Sequence, residues 1–165
     1  TMTHASPRKT SASRRRIDLN ALPGHCIRRL QQIAVGVFMQ EAVDSGVTPV
    51  QFAVLHTLAG QPGIDQRTLA CSVSFDTSTI GGVVGRLEAR GLLTRSHSPE
   101  DGRVRLLHLT PDGDEQLAGL TPAMQRAQER MLEPLSATER KEFLRMMRQV
   151  IEHHHELSRA DPPET

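Results

Sequence analysis

The chain has 165 residues, of which 37% are hydrophobic and 2% aromatic, and its formal net charge is +1. That length predicts one domain, or two small domains with a shared core, and a core of this size needs no disulfides. The near-neutral charge favours no particular class of partner, and the lack of an 18-residue apolar stretch excludes a membrane span. Residues 1–20 contain no apolar run typical of a secretory leader, so we expect a protein of the reducing cytoplasm.

The chain begins with a basic, Ser/Thr-rich arm, residues 1–19, which we expect to be disordered. Between residues 8 and 16 the arm carries five Arg and Lys residues and no acid, so contact with DNA is the alternative interpretation. From Leu22 to about Asp44 apolar residues recur at helical spacing, which predicts a first helix that Ser45-Gly46 ends. Its expected inward residues are Ile27, Leu30, Ala34, Val37 and Phe38.

Three helices follow, each with a polar residue before its first turn that accepts hydrogen bonds from the backbone. Thr48-Pro49 starts the second helix and Gln61-Pro62-Gly63 ends it. Asp65 caps a short third helix over about 66–73, and Asp76 caps a fourth that runs to about Arg90, with Gly91 after it. The expected inward residues, in chain order, are Phe52, Leu55, Leu58, Ala59, Leu69, Ala70, Val73, Ile80, Val83, Val84 and Leu87.

A β-hairpin then interrupts the helices. Its strands are predicted at Leu93–His97 and Arg105–Leu109, and its turn carries Asp101, Gly102 and Arg103. Two short helices joined by a three-residue turn and followed by a hairpin have the order of a winged helix-turn-helix. The predicted fold class is therefore mainly α with a small β-hairpin wing, flanked by N- and C-terminal dimerisation helices.

Two long helices close the chain. Thr110-Pro111 starts one that runs to about Leu132, and Ser136 caps another that runs to about His155. One short domain cannot bury these helices and the first helix together, so we expect them to pack against a second copy in a homodimer. The predicted boundaries are 20–47 for the N-terminal dimerisation helix, 48–110 for the winged helix-turn-helix, 111–157 for the C-terminal dimerisation helices and 158–165 for a disordered tail.

The fourth helix is the predicted recognition helix. In a helix-turn-helix the second helix enters the major groove of double-stranded DNA with its N-terminal residues at the base edges. Hydroxyls and free N–H groups at a helix N-terminus bind phosphate, although the same residue types also serve as ordinary caps. Gly81-Gly82 indicates either a close approach of the helix backbone to DNA or a face where nothing large is needed. The predicted DNA contacts on the outward face are Thr77, Ser78, Thr79, Gly82 and Arg86.

The hairpin tip is the second predicted DNA contact. A narrow minor groove attracts inserted arginine, which favours Arg103, and Arg105 adds a further basic contact. We expect Asp101 to hold the turn or an arginine in place, while Gly102 gives the turn its freedom. By itself the turn is typical of a solvated hairpin. Its place directly after a helix-turn-helix is what favours a role in DNA binding.

These elements lie in residues 48–113, which read TPVQFAVLHTLAGQPGIDQRTLACSVSFDTSTIGGVVGRLEARGLLTRSHSPEDGRVRLLHLTPDG. The stretch resembles the MarR family of winged-helix transcription regulators. The resemblance implies obligate dimers that bind palindromic operators, most often as repressors, with an Asp-x-Arg wing motif at Asp101 and Arg103. Many members carry arginine at the middle wing position, where this chain has Gly102, so Arg103 carries more of the wing's role. The segments behind the resemblance are Gln51–Leu55, Leu69-Ala70, Leu87–Leu93, Asp101–Arg103 and Leu109–Gly113.

The first helix carries a second resemblance. Residues 23–38 read PGHCIRRLQQIAVGVF and are similar to MarR members that sense aromatic acids, among them regulators of nicotinate and hydroxybenzoate catabolism. In that branch an arginine of the Arg-Arg pair binds the ligand carboxylate, which implies Arg28 here, and a guanidinium suits that role. The alternative is a surface Arg28 paired with an acid of the partner copy. The further ligand candidates are His25, which is otherwise a capping or exposed residue, Gln51 and His56.

Three other classes of function are weaker. No paired carboxylates, nucleophile motif or phosphate loop indicates an enzyme, and no cofactor is expected. The run His153-His154-His155-Glu156 does not predict a metal site, because adjacent helical residues point in different directions. A redox-sensing repressor switched through Cys26 or Cys71 is the alternative function, although small cysteines are most often buried.

Overall fold

The computed structural model describes residues 17–155 and residue 157. In that part of the chain a 3-10 helix at Leu19–Ala21 precedes six α-helices and three strands. No helix there is long and apolar enough to cross a membrane. The elements are α1 (Pro23–Glu41), α2 (Pro49–Gly60), β1 (Ile64–Asp65), α3 (Gln66–Ser72), α4 (Thr77–Ala89), β2 (Leu93–His97), β3 (Arg105–Leu109), α5 (Pro111–Met131) and α6 (Ala137–His153).

The predicted helix starts are confirmed, because each capping side chain accepts a hydrogen bond from the backbone N–H three residues later. Thr48 and Ser136 also form capping boxes, in which the side chain three residues after the cap accepts a hydrogen bond from the backbone N–H of the cap. Gly91, at φ +73°, follows α4 in the left-handed conformation that glycine adopts most readily. The five capping residues are Thr48, Asp65, Asp76, Thr110 and Ser136.

The structure departs from the predicted elements at three places. The first helix ends at Glu41, before Asp44, and a 3-10 helix capped by Asp18 begins at Leu19, the last residue of the predicted disordered arm. The rest of that arm, residues 1–16, and the predicted tail, 158–165, lie outside the described residues. Strand β1 has no counterpart in the prediction, because two residues show no periodicity. It forms because Ile64 pairs with Leu107 of β3.

The wing and the helix-turn-helix share one core. The antiparallel sheet has the order β1-β3-β2, and Leu93 of β2 lies opposite Leu109 of β3. The expected inward stripe of α4 is fully buried, but Ala59 of α2 is exposed and Val54 is buried on that helix. The expectation for Ala59 is therefore wrong. The core members are Val54, Leu55, Leu58, Leu69, Ala70, Ile80, Val83, Val84, Leu87, Leu92, Leu93 and Leu107.

A second core joins α2 to the helices from the two ends of the chain. Phe38 of α1 and Phe52 of α2 pack with their ring centroids 6.0 Å apart, against Leu120 and two alanines of α5. Beside this core, the Glu41 carboxylate accepts hydrogen bonds from Arg126 at 2.8 Å and Arg130 at 2.7 Å. Helix α2 therefore lies between two apolar clusters, and it is apolar on most of its circumference for that reason.

Helices α1 and α6 leave much of their apolar surface uncovered in the single chain. Ile27, an expected inward residue, is 62% exposed, and no residue of α6 is buried. A cleft of about 330 Å³ opens between the two helices, and its lining is almost entirely apolar. It is formed by Ile27, Phe143, Met146, Met147, Val150 and Ile151. The predicted inward residues of α1 are therefore buried only at the C-terminal end of the helix, near Phe38.

Gly113 is the glycine whose replacement we expect to be most damaging. A Cβ atom at this position would overlap the carbonyl group of Leu92, which is backbone and has little room to move. We expect Gly113→Ala to lower the free energy of unfolding by about 2–3 kcal/mol, measured by urea denaturation at fixed protein concentration.

Gly119 is the matched control on the same helix, because no atom lies within 4 Å of a Cβ placed there. Gly119→Ala should raise the free energy of unfolding by about 0.5–1 kcal/mol through helix propensity alone. Equal effects of the two substitutions would show that the contact with Leu92 is not the constraint.

Candidate DNA-binding site

The turn between α3 and α4 sets the direction of the predicted recognition helix. Ser74 has φ +58°, the only positive φ of a non-glycine residue among those described, and a conformation of this kind persists where the surroundings fix it. The Phe75 N–H donates to the Ala70 carbonyl at 3.1 Å, which ties the turn back to α3. Together these contacts give α4 a defined angle to α3, as a helix-turn-helix requires.

Both helices of the motif begin with the same cap, an Asp followed three residues later by a Thr. The Asp76 carboxylate accepts from the backbone N–H of Thr79 at 2.7 Å and from the Thr79 hydroxyl. The hydroxyl bond, followed by the backbone bond, lowers the pKa of Asp76, and the Thr68 hydroxyl does the same for Asp65. Because its proton is donated to Asp76, the Thr79 hydroxyl serves the cap in this structure and is not a donor toward phosphate.

The other predicted contacts of α4 face solvent to different degrees. Ser78, Gly82 and Arg86 are exposed, whereas Thr77 is half-buried. A Cβ at Gly82 would lie 3.5 Å from the Arg86 guanidinium, so this side chain extends over the glycine. The two adjacent glycines differ in role. A Cβ at Gly81 would lie 3.1 Å from the Gln66 amide, so Gly81 faces α3 and Gly82 alone lies on the outer surface.

The wing is fastened to α4 by a two-bond ion pair. The Arg95 guanidinium of β2 donates to both carboxylate oxygens of Glu88, at 3.0 and 2.8 Å. This pairing lowers the pKa of Glu88 and raises the pKa of Arg95. A bidentate pair fixes direction as well as distance, so the hairpin and the recognition helix keep a constant relative orientation.

The wing tip is a hydrogen-bonded turn that leaves its arginine free for other contacts. The Arg103 N–H donates to the Asp101 carboxylate at 3.0 Å, which decides between the two roles expected for Asp101: it holds the backbone of the turn. His97 Nδ1 lies 2.7 Å from the Gly102 carbonyl and therefore donates to it. The Arg103 and Arg105 side chains are exposed and have no hydrogen-bond partner among the described residues.

Three residues of this region were not found by sequence reasoning. His97 supports the wing tip, and Arg67, exposed in the first turn of α3, lies where a helix-turn-helix crosses the DNA backbone. Arg90 joins the end of α4 to the turn after α1 by donating to the carbonyls of Ser45 and Gly46, both at 3.0 Å. Only Arg67 had a local signal, since it lies in the first turn after the Asp65 cap. The partners of Arg90 are distant in sequence, and the contact of His97 with the Gly102 carbonyl depends on side-chain orientation.

Two of the predicted ligand residues lie on α1 and the other two on α2. On α1, Arg28 Nη2 is 2.9 Å from His25 Nδ1, so these two predicted ligand residues are in contact. On α2, Gln51 is buried and its amide oxygen accepts from the Thr48 N–H, while His56 is exposed and stacks on Phe52 with centroids 6.0 Å apart. Among the described residues no hydrogen bond joins the α1 residues to the α2 residues.

The structure also locates the cysteines and histidines considered for redox sensing and metal binding. Cys26 and Cys71 are both exposed, so the expectation of buried cysteines is wrong; Cys71 lies on the side of α3 opposite the buried Leu69. The His153 and His154 rings touch edge to face, with centroids 4.6 Å apart. No three His, Cys, Asp or Glu side chains within residues 17–155 come together as a metal-binding group.

Comparison with known proteins agrees with this geometry. The sequence model of the MarR family matches residues 47–104. The transcriptional repressor NicR of Pseudomonas putida is 32% identical over 82% of this chain and 85% of its own length.

Two solved structures extend the comparison to the fold. The Streptomyces coelicolor regulator PcaV, solved with its natural ligand, is 40% identical, with a TM-score of 0.76 over 83% of this chain and 96% of that one. Bordetella bronchiseptica BpsR, whose DNA binding is regulated by 6-hydroxynicotinic acid, is 32% identical, with a TM-score of 0.77 over 82% and 96%.

The cap of α4 generates a prediction about pH. Since the folded pKa of Asp76 is below its ordinary value of 3.8, the carboxylate stabilises the fold above that pH, and this contribution is lost as the pH falls through the folded pKa. Asp76→Asn keeps a capping side chain but removes the charge. We expect the variant to be less stable than the parent at pH 7 and the difference to shrink below pH 3.8, measured by urea denaturation.

Asp44→Asn is the control, because Asp44 accepts no hydrogen bond among the described residues. It should leave the pH dependence unchanged. A stability difference between Asp76→Asn and the parent that stays constant from pH 7 to pH 3 would contradict the role of the charged cap.

Proposed function

Because this chain belongs to the MarR family of winged-helix transcription regulators, we propose that two copies bind a palindromic DNA operator and that a small aromatic carboxylate releases them. The chain is a transcription regulator rather than an enzyme. The observation that carries the proposal is the wing. A bidentate pair anchors it to α4, and its tip presents the Arg103 side chain with no hydrogen-bond partner among the described residues.

The DNA contacts follow from the exposed side chains of α4 and the wing. With the start of α4 in the major groove, Ser78, Gly82 and Arg86 face the base edges and the nearest phosphates. The wing tip then lies along the neighbouring minor groove, whose negative potential favours an arginine such as Arg103. Arg105 adds positive charge at the base of the tip. The DNA-binding unit is residues 48–110, as the sequence predicts.

The dimer is supported by the apolar surface that the single chain leaves uncovered. Helices α1 and α6 expose Ile27, Val150 and Ile151 by 58–62%, and these side chains border one cleft. A second copy packed on this surface removes it from water and sets two copies of α4 side by side. Two recognition helices about 34 Å apart fit successive major grooves of a palindrome. A regulator of this kind works in the cytoplasm, where the operator is.

The ligand proposal rests on Arg28 and on what the relatives are known to bind. BpsR responds to 6-hydroxynicotinic acid. Among the described residues the Arg28 guanidinium is hydrogen-bonded only to the ring nitrogen of His25, and its remaining N–H groups suit a carboxylate. The ligand must bind the form that does not fit DNA more tightly than the form that does. The regulated genes are then those of an aromatic-acid degradation operon, with the protein as repressor.

A redox switch is the second candidate, because both thiols are exposed and open to oxidants. It predicts that peroxide removes free thiol from Cys26 or Cys71 and releases DNA without any acid. Thiol titration before and after peroxide, with anisotropy of labelled DNA in the same samples, distinguishes this switch from release by a ligand.

Arg103 provides the test of the wing. We expect Arg103→Ala to weaken binding to DNA from the gene's own upstream region by about fivefold or more. The slope of log K against log salt should also fall by about 0.9 for each phosphate that the variant no longer neutralises. Arg148→Ala on α6 removes the same charge from an exposed site outside the DNA-binding unit and should change neither quantity. Unchanged affinity and slope for Arg103→Ala would exclude the wing as a DNA contact.

Arg28 provides the test of ligand release. Fluorescence anisotropy should show tight binding to the upstream DNA and release by one member of a panel of hydroxybenzoates and hydroxynicotinates. Arg28→Ala should bind DNA as the parent does and no longer respond to that acid. Arg29→Ala, at the adjacent and exposed arginine, is the control and should still respond. Normal release of Arg28→Ala would place the carboxylate elsewhere, and tight binding that no acid disturbs would favour the redox switch.

A further inference from the structure

We propose that Phe75 reads sequence: its ring contacts the 5-methyl group of a thymine in the major groove of each half-site. The inference rests on the proposed operator binding and names a residue that adds to its specificity. Phe75 precedes Asp76, the cap of α4, and is 43% exposed. It is the one exposed large apolar side chain between residues 44 and 143, all of which the structure describes.

The backbone beneath this ring is held from both sides. The Phe75 N–H donates to the Ala70 carbonyl at 3.1 Å, and the Ser74 N–H donates to the Cys71 carbonyl at 3.3 Å. On the other side, Asp76 is fixed by two hydrogen bonds from Thr79. A ring mounted on such a backbone has few conformations to lose on binding. The left-handed Ser74, at φ +58°, brings the chain out of α3 and into this position.

The surroundings of the ring identify the group it can contact. Phe75 shares the N-terminal end of α4 with Ser78, and in a helix-turn-helix that end faces the base edges of the major groove. The thymine methyl is the apolar group displayed there, and phenylalanine is one of the side chains that contact it. Insertion of an apolar wedge between base steps is a minor-groove mode, which is the wrong groove for this end of α4.

The test is an exchange of thymine for uracil, which removes only the methyl group. Duplexes that bind the full-length protein are selected from a random pool, and each thymine of the consensus is then replaced by uracil in both half-sites. We expect one thymine per half-site to respond to this exchange. At that position the affinity should fall about fourfold for each methyl group that is removed. Phe75→Ala should bind the thymine duplex as weakly as the parent binds the uracil duplex, and it should not distinguish the two.

Two further variants make the outcome decisive. Val43→Ala removes an apolar side chain that is 71% exposed but lies beyond the other end of α4, in the turn whose carbonyls bind Arg90. It should keep the full sensitivity to uracil. Phe75→Leu keeps an apolar side chain and should retain part of that sensitivity, which also guards against a misfolded alanine variant.

Each remaining outcome has one meaning. If the parent binds its duplex but no thymine shows the loss, the inference about Phe75 is overturned while the proposed function stands. The same holds if Phe75→Ala and Phe75→Leu keep the parent's full sensitivity. A parent protein that selects no duplex would overturn the proposed DNA binding and this inference together.

Discussion

The backbone contact between Leu92 and Gly113 is the constraint on which the arrangement of the two cores depends. Here α5 begins directly against the end of the helix-turn-helix, with no side chain between them. The Thr110 hydroxyl donates to the Gly91 carbonyl at 2.6 Å and accepts from the Gly113 N–H at 3.0 Å, so one residue caps α5 and ties it to the end of α4. Because the contact is between backbones, the angle between the wing and the long helices is set by the course of the chain itself. The start of α5 is therefore coupled directly to the end of the helix-turn-helix.

The elements could be predicted from the sequence because their signals are local. A cap, a proline in the first turn and a helical stripe lie within about ten residues of each other, and the helix starts and the wing strands were found this way. The predictions that were wrong or missing concern contacts between distant parts of the chain. Strand β1 exists only through Leu107, and Ala59 is exposed because α2 turns its other sides to two cores. The predicted DNA contacts lie together on α4 and the wing and stay a prediction, whereas the engagement of Thr79 in its cap was visible only from side-chain geometry. Arg28 and His56 lie on different helices, and no periodicity relates one helix to the other.

The arginines of this chain divide into those that hold the fold and those that remain available. Arg95, Arg126 and Arg130 are bound to carboxylates, and Arg90 is bound to two backbone carbonyls. The side chains of Arg67, Arg86 and Arg103 have no hydrogen bond within the part of the chain that the structure describes, and all three lie on the helix-turn-helix or its wing. Arg29 on α1 and Arg148 on α6 are also exposed and without a hydrogen bond among the described residues, so the helix-turn-helix and its wing hold most of the available arginines rather than all of them. Since the net charge of the chain is only +1, the proposed affinity for DNA depends on a few positioned groups rather than on a general positive field.

The link between Arg90 and the turn after α1 makes the recognition helix a lever. Helix α4 has 13 residues and is therefore about 20 Å long, with its pivot at Arg90 and its far end at Thr77. A tilt of about 10° at the pivot displaces the far end by about 3.5 Å, which is close to the 3.4 Å rise of one base pair. Because the buried side chains of α4 pack against α2, α3 and the wing, these elements turn with it as one body, and a small rotation of that body is enough to shift the recognition helix by one step along the DNA. Because both acceptors at the pivot are backbone carbonyls, the link involves no carboxylate.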